Sequence, residues 1–252
     1  MIKAGIDVGS RTTKVVILEN NKVISKYILP TGWDPERAAK ECFNEALNIA
    51  GIKENDVEQI TATGYGRVLL PFAHKTVTEI TCHAKGAFFT DPDIKTIIDI
   101  GGQDSKVIKI NGYGLVEDFA MNDRCAAGTG KFIEFLAHSI NIEVSEFGKI
   151  ALKSSSPATI SSMCTVFAES EVLSLVSENV PVEDIIAGIH LSIARRIETM
   201  IYTIGFSEKV AITGGVAHNA GIKHQLEQLL GVEIIIPEYP EFIGALGAAL
   251  VE

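Results

Sequence analysis

No apolar run in this 252-residue sequence reaches the ~20 residues that a membrane-spanning helix needs. Basic residues do not predominate either: 22 Lys and Arg stand against 32 Asp and Glu, for a net charge of −10. A nucleic-acid partner wants a basic face, so that class is set aside. Cysteine is scarce, four in all, without the dense framework of a disulfide-stapled secreted domain. That points to a reducing compartment, with the cytoplasm as default. The opening Met1-Ile2-Lys3-Ala4-Gly5 runs straight into a strand and shows no signal-peptide pattern. Low-complexity tracts and a clear linker are missing too. What remains is a globular composition, 46% hydrophobic and 21% charged, enough for one large core or two small ones.

The organising pattern is a strand–turn–strand unit that occurs twice. Residues 3–8 read as a strand ending at Asp7. Gly9-Ser10-Arg11-Thr12-Thr13 is a tight turn, Lys14 to Leu18 the outgoing strand, and Val23 to Leu29 a third. A Gly- and hydroxyl-rich tip offers N–H and O–H groups to phosphate oxygens. An Asp at the strand end can hold Mg²⁺ through water. Taken alone, the segment reads first as an ordinary hairpin turn. The pattern then returns: Thr96 to Ile100 carries Asp99, Gly101-Gly102-Gln103-Asp104-Ser105 turns, Lys106 to Ile110 leaves, and Leu115 to Ala120 follows. Internal duplication strengthens the phosphate reading. Two such units face to face would set two phosphate hairpins and two Asp residues around a central cleft.

Between and after the repeats the chain is mostly helical. Asp34 caps a helix with Pro35 at its first position, and Ala38, Ala39, Cys42, Phe43, Ala46, Leu47 and Ala50 form its apolar stripe. Cys42 is therefore a core residue. A strand from Glu58 to Ala62 leads into Thr63-Gly64-Tyr65-Gly66-Arg67. Glu79 precedes a small-residue helix, either as an acid acting on water or metal or as a helix-start charge. Cys82 and His83 in that helix read as packing. Further helices are predicted near Val144 to Leu152, from about Phe167 to Val176, and from Val182 through Ile201. His190, Arg195 and Arg196 fall on the solvated or packed edge of the last. Lys209 to Ile212 is a strand that runs into Thr213-Gly214-Gly215, then a helix to Leu230. Such a junction lets a nucleotide approach the backbone closely. A strand from Val232 to Ile236 and an Ala/Gly-rich helix from Glu241 to Val251 close the chain.

Two cysteine stretches stand apart from this frame. Met121-Asn122-Asp123-Arg124-Cys125-Ala126-Ala127-Gly128-Thr129-Gly130-Lys131 sets Cys125 among small residues, just before the apolar run of Phe132, Ile133, Phe135 and Leu136. A cysteine at a helix start meets unpaired N–H groups and the positive end of the dipole, which favour its thiolate. Cys164 follows in Ser161-Ser162-Met163-Cys164-Thr165-Val166-Phe167-Ala168-Glu169-Ser170-Glu171.

Ile6-Asp7-Val8-Gly9-Ser10, Ile98-Asp99-Ile100-Gly101-Gly102-Gln103 and Thr213-Gly214-Gly215 resemble, in that order, the two phosphate motifs and the adenosine motif of the actin-like ATPases. With the two cysteine stretches added, essentially the whole chain resembles the ATP-dependent activators of 2-hydroxyacyl-CoA dehydratases, related to benzoyl-CoA reductase ATPase subunits. The resemblance implies an α/β, duplicated actin-like (ribonuclease H-like) fold, with residues 1–94 plus 240–252 as one lobe and 95–239 as the other. It implies ATP or ADP with Mg²⁺ in the cleft between them. Asp7 and Asp99 would organise Mg²⁺ and water; Gly9, Ser10, Arg11, Thr12 and Thr13 would cradle phosphates, with Gly101, Gly102 and Gln103 opposite. Gln103 and Glu79 would position attacking water, and Gly214 and Gly215 would line the adenosine. It further implies a homodimer sharing one oxygen-sensitive 4Fe–4S cluster on Cys125 and Cys164 of each copy. The partners implied are a ferredoxin or flavodoxin donor and a dehydratase or related reductase that receives one electron. A small-molecule kinase and a non-catalytic nucleotide switch are the alternatives, and idle cysteines count against both.

Overall fold

β1 (Ile2–Val8) is buried from Ala4 onward and pairs antiparallel with β2 (Thr12–Glu19), placing Asp7 opposite Lys14. β2 continues antiparallel into β3 (Lys22–Pro30) through the Asn20-Asn21 turn, where both residues take positive φ. α1 (Pro35–Ala50) starts as the sequence predicts: Asp34 accepts the Arg37 N–H, Pro35 occupies the first turn, and Ala38, Ala39, Cys42, Phe43, Ala46 and Leu47 are buried. β4 (Gln59–Thr63) returns parallel to β1, with Thr63 beside Asp7, and β5 (Lys75–Thr76) is a short edge strand. α2 (Glu79–Thr90) is capped by the Thr78 hydroxyl and begins at Glu79 itself. The computed structural model describes every residue except Asp123, Ser162, Met163 and Glu252.

The second repeat supplies β6 (Thr96–Ile100), β7 (Ser105–Ile110) and β8 (Val116–Asn122), the last reaching two residues beyond the Ala120 expected. Four helices follow: α3 (Gly130–Ser139), α4 (Val144–Ala151), α5 (Thr165–Ser177) and α6 (Val182–Ile204). β9 (Val210–Thr213) leads through a short 3₁₀ turn, Gly215–His218, into α7 (Ala220–Leu230). β10 (Ile234–Ile235) is only two residues long, against the five predicted. α8 (Ile243–Leu250) closes the chain after a 3₁₀ turn at Pro240–Phe242, so its start lies two residues later than Glu241. No helix of the described residues is long and apolar enough to cross a membrane.

The two sheets share one strand order. The first runs β3-β2-β1-β4-β5 and the second, read from its far edge, β8-β7-β6-β9-β10. This is the duplicated α/β arrangement of an actin-like fold. By internal packing the chain divides into Met1–Ile97 with Ile110–Glu117 and Pro237–Glu252, and Ile98–Lys109 with Asp118–Ile236. In the first unit Ala4, Ile6, Val15 and Ile17 meet the α1 stripe, while α8 lays its small residues on α2 and β1. In the second unit α6 lies at the middle of the core: Ile185, Ile186, Ile189, Ile193, Ile197 and Ile201 are all buried. His190 is buried with them, the packed rather than the solvated of the two edges expected, because α6 is covered all round from Ile185 to His190.

Candidate nucleotide and cysteine site

The two Asp–Gly turns are built alike, residue for residue. In the first, the Gly9 N–H donates to the Thr12 carbonyl at 3.1 Å; in the second, Gly101 donates to Asp104 at 2.9 Å. In each, a lysine seven residues after the Asp returns on the neighbouring strand to pair with it. Lys14 Nζ lies 3.2 Å from Asp7 Oδ2, and Lys106 Nζ lies 3.3 Å from Asp99 Oδ2. The lysines are therefore turn anchors before they are anything else. Behind the first turn, Thr31 donates its hydroxyl to the Gly9 carbonyl at 2.7 Å and meets the Thr13 hydroxyl at 2.9 Å. Thr13 is buried, so it shapes the turn from behind, while Ser10 and Thr12 are half-buried and Arg11 is exposed. Gln103 stands exposed at the tip of the second turn.

The Asp environments differ. Asp99 is 3% exposed, and both of its oxygens are engaged: Oδ2 by Lys106 and Oδ1 by the Thr213 hydroxyl at 2.9 Å. Lys106, 1% exposed, also pairs with Asp104 at 2.8 Å, so one ammonium serves two carboxylates. A buried lysine so placed is held by charge pairing, without which its desolvation cost would be prohibitive. Asp7 keeps slightly more access to solvent, with Lys14 on one oxygen.

The chain after each parallel strand turns tightly over its Asp. Gly214, with φ +83°, crosses at the end of β9, where a Cβ would lie 2.9 Å from Asp99 Oδ1 and collide with the Ile100 carbonyl. Gly64, with φ +88°, does the same over Asp7 after β4. Only glycine accepts that backbone in that space. Gly215 follows at the start of the 3₁₀ turn, which ends at Asn219. The Asn219 side chain caps α7 by accepting from Gly221 and Ile222.

Sequence reasoning treated His83 as packing. It is buried, and its Nε2 and Asp7 Oδ2 lie against the same face of Gly244, at 3.1 and 3.3 Å from where a Cβ would stand. Its place beside the first Asp was not readable from a histidine in an Ala-rich helix. Glu79 is half-buried at the first position of α2. It shares the neighbourhood of Cys82, whose thiol burial pushes up to about 12, with Asp7 and Glu79 adding to the rise.

The four cysteines separate into two kinds. Cys42 and Cys82 are fully buried; burial likewise pushes the Cys42 thiol up to about 12, and its Sγ points at the carbonyls of Thr13 and Tyr27 at 3.4 Å. Cys125 is half-buried and Cys164 exposed. Cys164 is the N-cap residue of α5, which begins at Thr165, two residues before the Phe167 expected. Cys125 is not at a helix start: α3 begins five residues later, at Gly130. The first two N–H groups of α3, from Gly130 and Lys131, donate to the carbonyls of Gly101 and Gly102 at 2.9 Å each. The second phosphate-type turn therefore completes the helix end that was expected to face Cys125. Asp123, Ser162 and Met163 of the two cysteine stretches lie outside the described residues. Among the described residues no three His, Cys, Asp or Glu side chains form a group able to hold a metal ion.

Paired Asp–Gly turns on duplicated sheets, with a Gly-Gly crossing after β9, place the chain in the actin-like fold class. Comparison with known proteins narrows this. The profile of the BadF/BadG/BcrA/BcrD ATPase family matches residues 4–251. The 2-hydroxyisocaproyl-CoA dehydratase activator of Clostridioides difficile is 43% identical over 254 residues, spanning 99% of this chain and 94% of that protein. A solved structure of the activator of the 2-hydroxyisocaproyl-CoA dehydratase from Clostridium difficile, with bound ADPNP, matches with a TM-score of 0.93 at 43% identity, covering 99% and 93% of the two chains. Component A of the Acidaminococcus fermentans (R)-2-hydroxyglutaryl-CoA dehydratase matches at 0.95 and 43%, covering 99% and 96%. This chain belongs to the BadF/BadG/BcrA/BcrD ATPase family.

Proposed function

We propose that this protein is the ATP-hydrolysing activator of a 2-hydroxyacyl-CoA dehydratase, passing it one electron from a ferredoxin or flavodoxin. The observation that carries the reading is the division of the cysteines. Two are buried and held as thiols; of the other two, Cys164 is exposed and Cys125 half-buried, and both lie outside the helices and strands. A cubane cluster takes four thiolates. One chain offers two accessible thiols, so a pair of chains related by a two-fold axis completes the set. The donor chemistry thus fits a 4Fe–4S group, which when bound supplies a one-electron carrier.

The remaining roles belong to the nucleotide. Ser10, Arg11 and Thr12 on one turn, and Gly102 and Gln103 on the other, offer donors to phosphate oxygens; Gly9 and Gly101, whose N–H groups close the turns, shape the cradle with no side chain in the way, and Thr13 supports its turn from behind. Asp7 is the better placed of the two acids to organise Mg²⁺ and water. Asp99, with both oxygens committed, fixes Lys106 and Thr213 and so the turn beneath Gln103. Gln103 and Glu79 orient the attacking water, and Gly214 and Gly215 border the adenosine. The chain's ATPase relatives and the ADPNP bound to one of them support this assignment.

The test is iron and acid-labile sulfide on protein purified without oxygen, together with its mass in solution. About four irons per two chains, lost on Cys125→Ser or Cys164→Ser, is the result expected. Iron-free anaerobic protein that still hydrolyses ATP would overturn the electron-transfer reading.

A further inference from the structure

The loop that carries Cys125 is fastened by side chains as well as by its own backbone. Asn122 donates from Nδ2 to the carbonyls of Cys125, at 3.0 Å, and Ala127, at 2.9 Å. The carbonyl between them, that of Ala126, accepts from the Thr129 hydroxyl at 2.6 Å and the Thr129 N–H at 3.1 Å. Three successive carbonyls are thereby held. The amide oxygen of Asn122 accepts from Arg196 Nη2 at 3.3 Å. Guanidinium only donates, so this contact fixes which end of the amide faces the loop. Arg196 reaches Asn122 from α6 by passing beneath Gly128. There φ is +88°, and a Cβ would lie 2.8 Å from Arg196 Cδ. Glycine at 128 is what leaves room for the arginine stem. The Cys164 side is held by different groups: Ser161 donates from N and Oγ to the Glu171 carboxylate at 2.8–3.1 Å.

We infer that Asn122 and Arg196 are positioning residues for the Cys125 thiol. Arg196 orients the Asn122 amide, and the amide holds the backbone of the cysteine itself, so the sulfur is presented in one place before any ligand arrives. The inference rests on the reading of Cys125 as a cluster ligand. Groups that orient a metal ligand from behind typically change affinity by about 10–100-fold when removed. Arg196 was expected only to edge its helix; nothing local in the sequence connects it to residue 122.

The test uses full-length protein in its reduced, cluster-free form. Iodoacetamide alkylation of Cys125 and Cys164 is followed by peptide mass spectrometry in the wild type, Asn122→Ala, Asn122→Asp and Arg196→Met. Losing one neutral hydrogen bond shifts a local opening equilibrium about fivefold. Cys125 alkylation is therefore expected to rise about fivefold or more in all three variants, with the Cys164 rate unchanged. Asn122→Asp keeps an acceptor for Arg196 but loses both donors, so it should match Asn122→Ala. After reconstitution with iron and sulfide, each variant should surrender iron to a chelator about tenfold faster than wild type. An unchanged Cys125 rate, or an equal rise at both cysteines, overturns the inference. Should Asn122→Ala fail to fold, Arg196→Met decides, since methionine keeps an apolar stem beneath Gly128. If the wild type takes up no iron while the variants still speed Cys125 alkylation, the positioning stands and the cluster reading falls.

Discussion

Acid should weaken this protein through His190, and the size of the effect follows from where the ring sits. The imidazole is fully buried on α6, edge-on to Phe147 at 5.8 Å between ring centroids, with Nε2 3.1 Å from the Asn219 amide nitrogen. Asn219 Oδ1 already accepts from Gly221 and Ile222, so its nitrogen donates to Nε2 and the ring proton lies on Nδ1. Burial alone pushes the imidazole down to about 3. An unfolded chain has its histidine near 6.5. Between those values the unfolded state binds a proton that the folded state does not, so stability is lost as pH falls through about 6.5. At pH 5 the native ring is still neutral, and the loss is set by the ~1.5 pH units below the unfolded value, about 2 kcal/mol relative to pH 7.5. The assay is urea unfolding at both pH values for wild type and His190→Gln. Glutamine costs stability too, but by an amount that does not change with pH. Wild type should therefore lose about 2 kcal/mol more than the variant between pH 7.5 and pH 5. Equal losses in the two proteins would refute the reasoning.

Three other outcomes are expected. Lys106→Ala strands the Asp99 and Asp104 carboxylates and should cost about 3–5 kcal/mol in urea unfolding; a cost under about 1 kcal/mol would mean the pair is not held by charge. Gln103→Ala, at an exposed tip, should leave ATP affinity within about twofold and slow hydrolysis by about tenfold or more; undiminished turnover removes it from the water-positioning role. Asp34→Ala should cost about 1 kcal/mol through loss of the α1 cap, seen as a lower urea midpoint, and a neutral result would show that Pro35 alone fixes the helix start.

Much of the fold was legible because its signals are local. The α1 cap, its Pro and its stripe lie within one helix, and the Asp–Gly turn repeats with the same spacing to its lysine. The features that escaped depend on residues far apart in the chain. The start of α3 is completed by carbonyls almost thirty positions earlier, so the Cys125 stretch reads as a helix entrance and is instead a loop. The burial of His190 depends on α4 and α7 packing against α6, which no helical periodicity reports. His83 reaches the first Asp only because α2 and the closing helix pack with small residues between them. β10 fell short of its apolar run because only Ile234 and Ile235 pair with β9. For the site, the phosphate turns and cysteines could be picked out by residue type, while the commitment of both Asp99 oxygens could not.

The bonds from Gly130 and Lys131 to the carbonyls of Gly101 and Gly102 bear on how any variant of this protein is interpreted. A substitution chosen at the second turn to weaken nucleotide also moves the far end of the Cys125 loop. Activity lost at Gly101 or Gly102 would thus be ambiguous, because defective ATP handling and a displaced sulfur would look alike in a turnover assay. The two parts share a stretch of main chain, and separating them takes substitutions that leave those carbonyls in place, such as at the Gln103 side chain.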